Sequence, residues 1–148
     1  MRKLLQITLS YLSKQAIKKH DIELIVITGG FGVNLVKEAV YTLLSEKFIV
    51  RRNGKDIWWD LSIPLNILGY KDMKRSFPRW IALIFRISFY LLFGSKNKHI
   101  LVLSAQSEKN DTAKYWSDFV YPDTLVVIND YKDSKVTELL INSTRRNK

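Results

Sequence analysis

The run Ile25-Val26-Ile27-Thr28-Gly29-Gly30-Phe31-Gly32-Val33-Asn34-Leu35-Val36-Lys37-Glu38 constrains this chain more than any other stretch. Its β-branched start suits a strand covered on both faces, and the helical spacing of apolar residues beyond Asn34 suits a helix. Gly29, Gly30 and Gly32 let the backbone turn sharply between the two and present several N–H groups at a helix N-terminus, an arrangement that attracts anions. A working phosphate loop adds a Lys for the β- and γ-phosphates and a hydroxyl for Mg²⁺. Val33 and Asn34 stand at those places. Val33 supplies neither group, and Asn34 offers only a neutral carbonyl oxygen. Lys37 lies one helical turn further on, so its ammonium must fold back to reach a phosphate. By analogy with losing one positioned donor, such a loss costs about 3 kcal/mol or more of transition-state stabilisation. The competing reading is a plain strand-to-helix turn that uses glycine for geometry alone.

Alternating periodicities organise the rest of the chain. An amphipathic helix is expected within residues 1–20, with Leu5, Leu9, Leu12 and Ile17 near one face. Strand Glu23–Thr28 precedes a helix over Asn34–Lys47, whose stripe collects Leu35, Val36, Ala39, Val40, Leu43, Leu44 and Phe48. Phe48–Arg52 and Asp56–Asp60 read as short strands flanking Asn53-Gly54, a two-residue hairpin signal. Pro64 opens a short helix through Leu68 that Gly69 closes. A helix over Trp80–Phe93, strand His99–Ser104, helix Asp111–Val120, strand Thr124–Ile128 and a helix near Ser134–Asn142 follow, with a frayed basic tail over 143–148. Strands separated by helices predict a single α/β domain with a short, mainly parallel sheet.

Lys and Arg outnumber Asp and Glu by 24 to 14, a formal charge of +10 that attracts polyanions. Cysteine is absent, which excludes a disulfide framework, thiolate zinc sites and thiol catalysis. Met1-Arg2-Lys3 followed by Leu4-Leu5 resembles the start of a signal peptide, but Gln6, Thr8, Ser10 and Lys14 interrupt the apolar stretch. A cytoplasmic protein is expected.

The glycine run and the segments after it resemble the central ATP-binding domain of the Mur ligases, which add amino acids or peptides to UDP-muramic acid precursors of peptidoglycan. Thr28-Gly29-Gly30-Phe31-Gly32 and Lys37-Glu38 match the family pattern in register, with Val33 and Asn34 at its Lys and hydroxyl positions. Ile63-Pro64-Leu65 echoes a helix start, Asn110-Asp111-Thr112 another, and Pro122-Asp123 before Thr124–Ile128 a later strand. In Leu101-Val102-Leu103-Ser104, Ser104 takes the place of a Glu that helps hold Mg²⁺. The similarity spans about residues 21–130 and lacks the family's UDP-sugar and amino-acid domains. It implies a P-loop-like three-layer core whose sheet stops short of the family's. Thr28, Gly29, Gly30, Phe31, Gly32, Val33 and Asn34 then form a degenerate phosphate loop, with Lys37 nearby. The family uses ATP and Mg²⁺. With its cation, hydroxyl and acid replaced, this chain is expected to use neither and to act as a non-catalytic binding module. The alternative is a ligase fragment completed by a partner chain.

Two partner classes are implied. A truncated sheet leaves a strand edge that recruits a protein or a second copy. The stretch Trp80–Phe93 is apolar nearly all round, contains Arg86, and is flanked by Lys71, Lys74, Arg75, Arg79, Lys96 and Lys98. At 14 residues it is too short to span a bilayer, but it suits a helix lying on anionic headgroups at the inner membrane face. A core-packed helix with a solvated basic flank is the plainer alternative. Trp58 and Trp59 beside Arg51, Arg52 and Lys55 suggest base stacking, but no nucleic-acid-binding motif accompanies them. His20 and His99, far apart in the chain and without cysteine, make no metal site. Glu108 and Asp111 suit helix capping.

Overall fold

The computed structural model describes residues 2–54, 61–70, 77–105, 110–128 and 135–144. Among these residues ten elements succeed one another as α1 (Arg2–His20), β1 (Glu23–Gly29), α2 (Val33–Ser45), β2 (Val50–Arg52), α3 (Ser62–Ile67), α4 (Phe77–Phe93), β3 (Ile100–Ser104), α5 (Asn110–Ser117), β4 (Thr124–Ile128) and α6 (Lys135–Ser143). The four strands form one all-parallel sheet in the order β2-β3-β1-β4. The architecture is α/β, as the alternation of periodicities predicted.

Interior β1 shows why. Its apolar residues alternate between two faces, and both faces are covered. Leu24 and Val26, with Leu101 and Leu103 of β3, pack against Ala16 and Ile17 of α1, Ile63 and Ile67 of α3, Trp116 of α5 and Leu140 of α6. Ile25 and Ile27, with Ile100 and Val102, face α2 through Val33, Val36, Val40 and Leu44. Helix α4 packs outside α1 and α3, where Leu83 and Ile87 meet Leu12 and Leu65. At one sheet margin Asp123 brackets the backbone of Leu24: its N–H donates to the Leu24 carbonyl at 2.9 Å, and its Oδ2 accepts from the Leu24 N–H at 2.8 Å.

Several expectations need correction. Helix α2 buries only the inward half of its expected stripe; Leu35, Ala39, Leu43 and the following Phe48 are exposed, because one sheet face accommodates one side of a helix. Helix α3 begins at Ser62, ahead of Pro64, and α5 ends at Ser117. Strand β2 starts at Val50 and pairs in parallel with β3; the proposed second hairpin arm, Asp56–Asp60, lies outside the described residues, as do Trp58, Trp59 and Glu108. The parallel register of Glu23 against Ile100 brings the two histidines, far apart in sequence, to the same end of the sheet.

Candidate functional site

The glycine turn leaves the C-terminal end of β1, between β3 and β4, and opens α2. Ligands of open α/β sheets bind beyond the carboxyl ends of the strands, so the location is suitable. Gly29 has φ +127°, and a Cβ there would lie 2.0 Å from the carbonyl oxygen of Ile128. Only glycine fits. The Gly30 N–H donates to that same carbonyl at 2.9 Å, so one amide of the turn is committed to β4. Gly32 takes φ +93° as the N-cap of α2, with no side chain capping the helix.

Side chains around the turn divide sharply. Phe31 is 96 % exposed, whereas Val33 is 1 % exposed and fills the core between β1, β3 and α2. Thr28 is buried and Asn34 is exposed at the first turn of α2. Lys37 is 0 % exposed. Its Nζ donates to the carbonyls of Asn53 at 3.1 Å and Gly54 at 3.5 Å and lies 3.6 Å from Glu38 Oε1. The ammonium that sequence reasoning placed near a phosphate is thus committed to the backbone beyond β2.

A neutral polar cluster occupies the adjoining ends of β2 and β3. Asn53 Nδ2 donates to the Ser104 carbonyl at 3.1 Å, and the Ser104 N–H donates to Asn53 Oδ1 at 3.1 Å. Ser104 Oγ reaches Asn34 Oδ1 at 3.4 Å. Asn34 and Ser104, widely separated in the chain, therefore meet, and Asn53 locks the second of them. Asn53 was expected to serve as a turn residue; its role as a clamp between strands is tertiary and left no local signal. Glu38 also pairs with Arg52, whose guanidinium stacks over Tyr41 at 4.1 Å from the ring centre.

This arrangement holds amides, the Thr28 and Ser104 hydroxyls, a sequestered ammonium and the Glu38–Arg52 ion pair. Among the described residues no three His, Asp or Glu side chains gather as a metal site. No family model, curated protein or solved structure matches the chain.

Proposed function

We propose that this chain is a non-catalytic binding module on a degenerate, shortened Mur-ligase-like central domain. Supporting a P-loop-like reading are the glycine turn after an interior strand and the meeting of Asn34 with Ser104. In that reading these are the positions of the metal-binding hydroxyl and acid. The observation that carries the loss of catalysis is the burial of Val33 at the position of the phosphate-binding lysine. The nearby Lys37 does not replace that lysine, because its buried ammonium bonds the Asn53 and Gly54 carbonyls and pairs with Glu38. Without a positioned cation or metal acid, phosphoryl transfer lacks the electrostatic stabilisation on which it depends. Calorimetric titration with Mg-ATP should show no sub-millimolar binding and no ADP release. Sub-millimolar affinity overturns the reading.

A second reading, attachment to an anionic membrane surface, is favoured by the outer face of α4. At 100° per residue, Ile81, Leu92, Phe85, Phe89 and Phe93 sweep an arc of roughly 120°. All five are exposed, opposite the face that Leu83 and Ile87 bury. Arg86 and Arg79 border that arc, exposed Lys96 and Lys98 follow it, and the 77–98 sequence contains no acid. Among the described residues no helix is long and apolar enough to cross a membrane, and in this reading α4 lies on the surface. The protein should co-sediment with phosphatidylglycerol vesicles at low salt and lose this as salt rises; the double variant Phe85→Asp/Phe89→Asp should abolish it without lowering the melting temperature. Failure to sediment at low ionic strength removes this reading.

A further inference from the structure

At the opposite end of the sheet from the glycine turn, α1, β2, α3, α4 and the segment before β3 line a half-open cavity of about 430 Å³, within the range of small-molecule sites. Its polar lining is one-sided. Arg51, Arg86, His20 and His99 contribute to the wall, Tyr70 and Tyr90 add phenols, and among the described residues no carboxylate lines it.

The hydrogen bonds fix how these groups are poised. Arg51 Nη2 donates to the Asn66 carbonyl at 2.7 Å, and Nη1 lies 3.2 Å from His99 Nε2. Guanidinium accepts nothing, so Nη1 donates and His99 Nε2 is unprotonated. His99 Nδ1 therefore carries the proton and donates to the Asn97 carbonyl at 2.8 Å. The Asn97 N–H donates in turn to His20 Nδ1 at 3.3 Å, leaving the His20 proton on Nε2. That N–H is buried in a residue only 4 % exposed and finds no partner among the described residues. The His20 ring stacks on Tyr90 with centroids 5.2 Å apart.

Two costs meet at one place. Among the described residues a partly buried guanidinium has no carboxylate partner and a buried imidazole N–H has no acceptor. Each is unfavourable alone, and one acceptor-rich anion relieves both.

We propose that this cavity binds a small ligand carrying a phosphate or carboxylate on an aromatic or aliphatic body. Arg51 and His20 engage the oxyanion, Arg86 adds attraction from α4, and Ile67, Ile87 and Leu91 cover the body. The proposal is independent of the state of the glycine turn.

Protonation strengthens the site. Burial is the main cause that lowers the His20 and His99 pKa values below 6.5; Lys19, His99 and Arg51 add to it for His20, and Arg51 for His99, where the bond to Asn97 opposes it. Among the described residues the groups facing the pair are Lys19 from α1, Arg51 from β2, Tyr70 after α3, and Arg86 and Tyr90 from α4. None is acidic. An arriving anion opposes those causes and pushes the imidazole pKa values upward; a proton taken up must go to His20 Nδ1 or His99 Nε2 and displace the bond that each accepts from Asn97 or Arg51.

The test titrates the full chain with phenyl phosphate, benzoate and uncharged benzyl alcohol, followed through the imidazole proton resonances. Either anion should shift His20 and His99 with a Kd of millimolar or tighter, at least about tenfold tighter than the alcohol, and tighten as pH falls from 7 to 6. Arg51→Gln should weaken binding about tenfold or more. Because that change also removes the bond to Asn66, Arg86→Gln and His20→Phe provide folded alternatives, the latter keeping the stack on Tyr90. Dihexanoyl phosphatidic acid below its micellar concentration separates the sources. Binding tighter than phenyl phosphate identifies a lipid headgroup, and weaker binding a free metabolite; both support the site. Equal affinity for the alcohol, or imidazoles undisturbed by millimolar anion, overturns it.

Discussion

Replacing Val33 by Lys restores the residue that a phosphate loop would carry, and so tests why the loop is silent. Val33 is buried among Ile25, Ile27, Ile100 and Val102, so the exchange first forfeits its burial, about 1.5–3 kcal/mol. Holding an ammonium in that apolar contact adds several kcal/mol more unless the stem bends outward. The expected loss is about 4 kcal/mol or more, against a total stability of about 5–15 kcal/mol for a typical domain. The melting temperature should fall by about 10 °C or more. Val33→Ala, which opens a cavity without adding charge, should cost only about 2–3 kcal/mol. Urea unfolding followed by the fluorescence of buried Trp116 measures both, and Mg-ATP titration of the folded Lys variant completes the test. A Val33→Lys protein within about 1 kcal/mol of the parent that also bound Mg-ATP below a millimolar would refute the reasoning. The turn would then be a competent cradle lacking one side chain.

Other outcomes rest on the same geometry. Lys37→Met keeps the buried stem but strips its bonds to the Asn53 and Gly54 carbonyls, and should cost about 2–3 kcal/mol as a lower urea midpoint; an unchanged midpoint would show that the ammonium is not structural. Gly29→Ala and Gly32→Ala both carry the left-handed cost of about 1–2 kcal/mol, but only the first meets the Ile128 carbonyl. Gly29→Ala should therefore be the more destabilising by thermal melting, and equal losses would place the constraint in φ alone. Native His20 and His99 titrate below 6.5, so the unfolded chain binds more protons than the native one beneath that pH. Stability is full above about 6.5 and declines as pH drops toward the lowered native values; replacing His20 by Phe should flatten this slope in urea titrations run from pH 7 to 5.

Sequence periodicity revealed the layers because burial repeats along each element. The Ile-Val-Ile run of β1 announced coverage on both faces, and the alternation of strand with helix announced a parallel sheet. Periodicity did not decide which half of an apolar helix is covered. In α2 the sets Leu35, Ala39, Leu43 and Val36, Val40, Leu44 have the same spacing, and the exit direction of the glycine turn selected the second. Polar pairings were illegible for a different reason. Asn53 carries a turn signature in any chain, and only the parallel placement of β2 beside β3 sets its amide against Ser104.

The histidines show the same dependence more sharply. Each ends a segment leading into a core strand, a common local setting. Strand pairing sets them at one sheet end, and Asn97 touches both by donating its N–H to one and accepting from the other. In the motif that dominates the sequence, the Gly30 amide, the Lys37 ammonium and the Asn34 side-chain oxygen are bonded to the protein itself. Among the described residues two buried side-chain polar atoms lack a partner, His20 Nε2 and Thr137 Oγ1, and His20 is the one that lines the pocket, where no motif pointed. Folding stability alone favours pairing such a group, and a cavity beside it provides room for an acceptor from outside the chain. On that physical ground we place the proposed ligand at the far end of the sheet, beside Arg51 and His20.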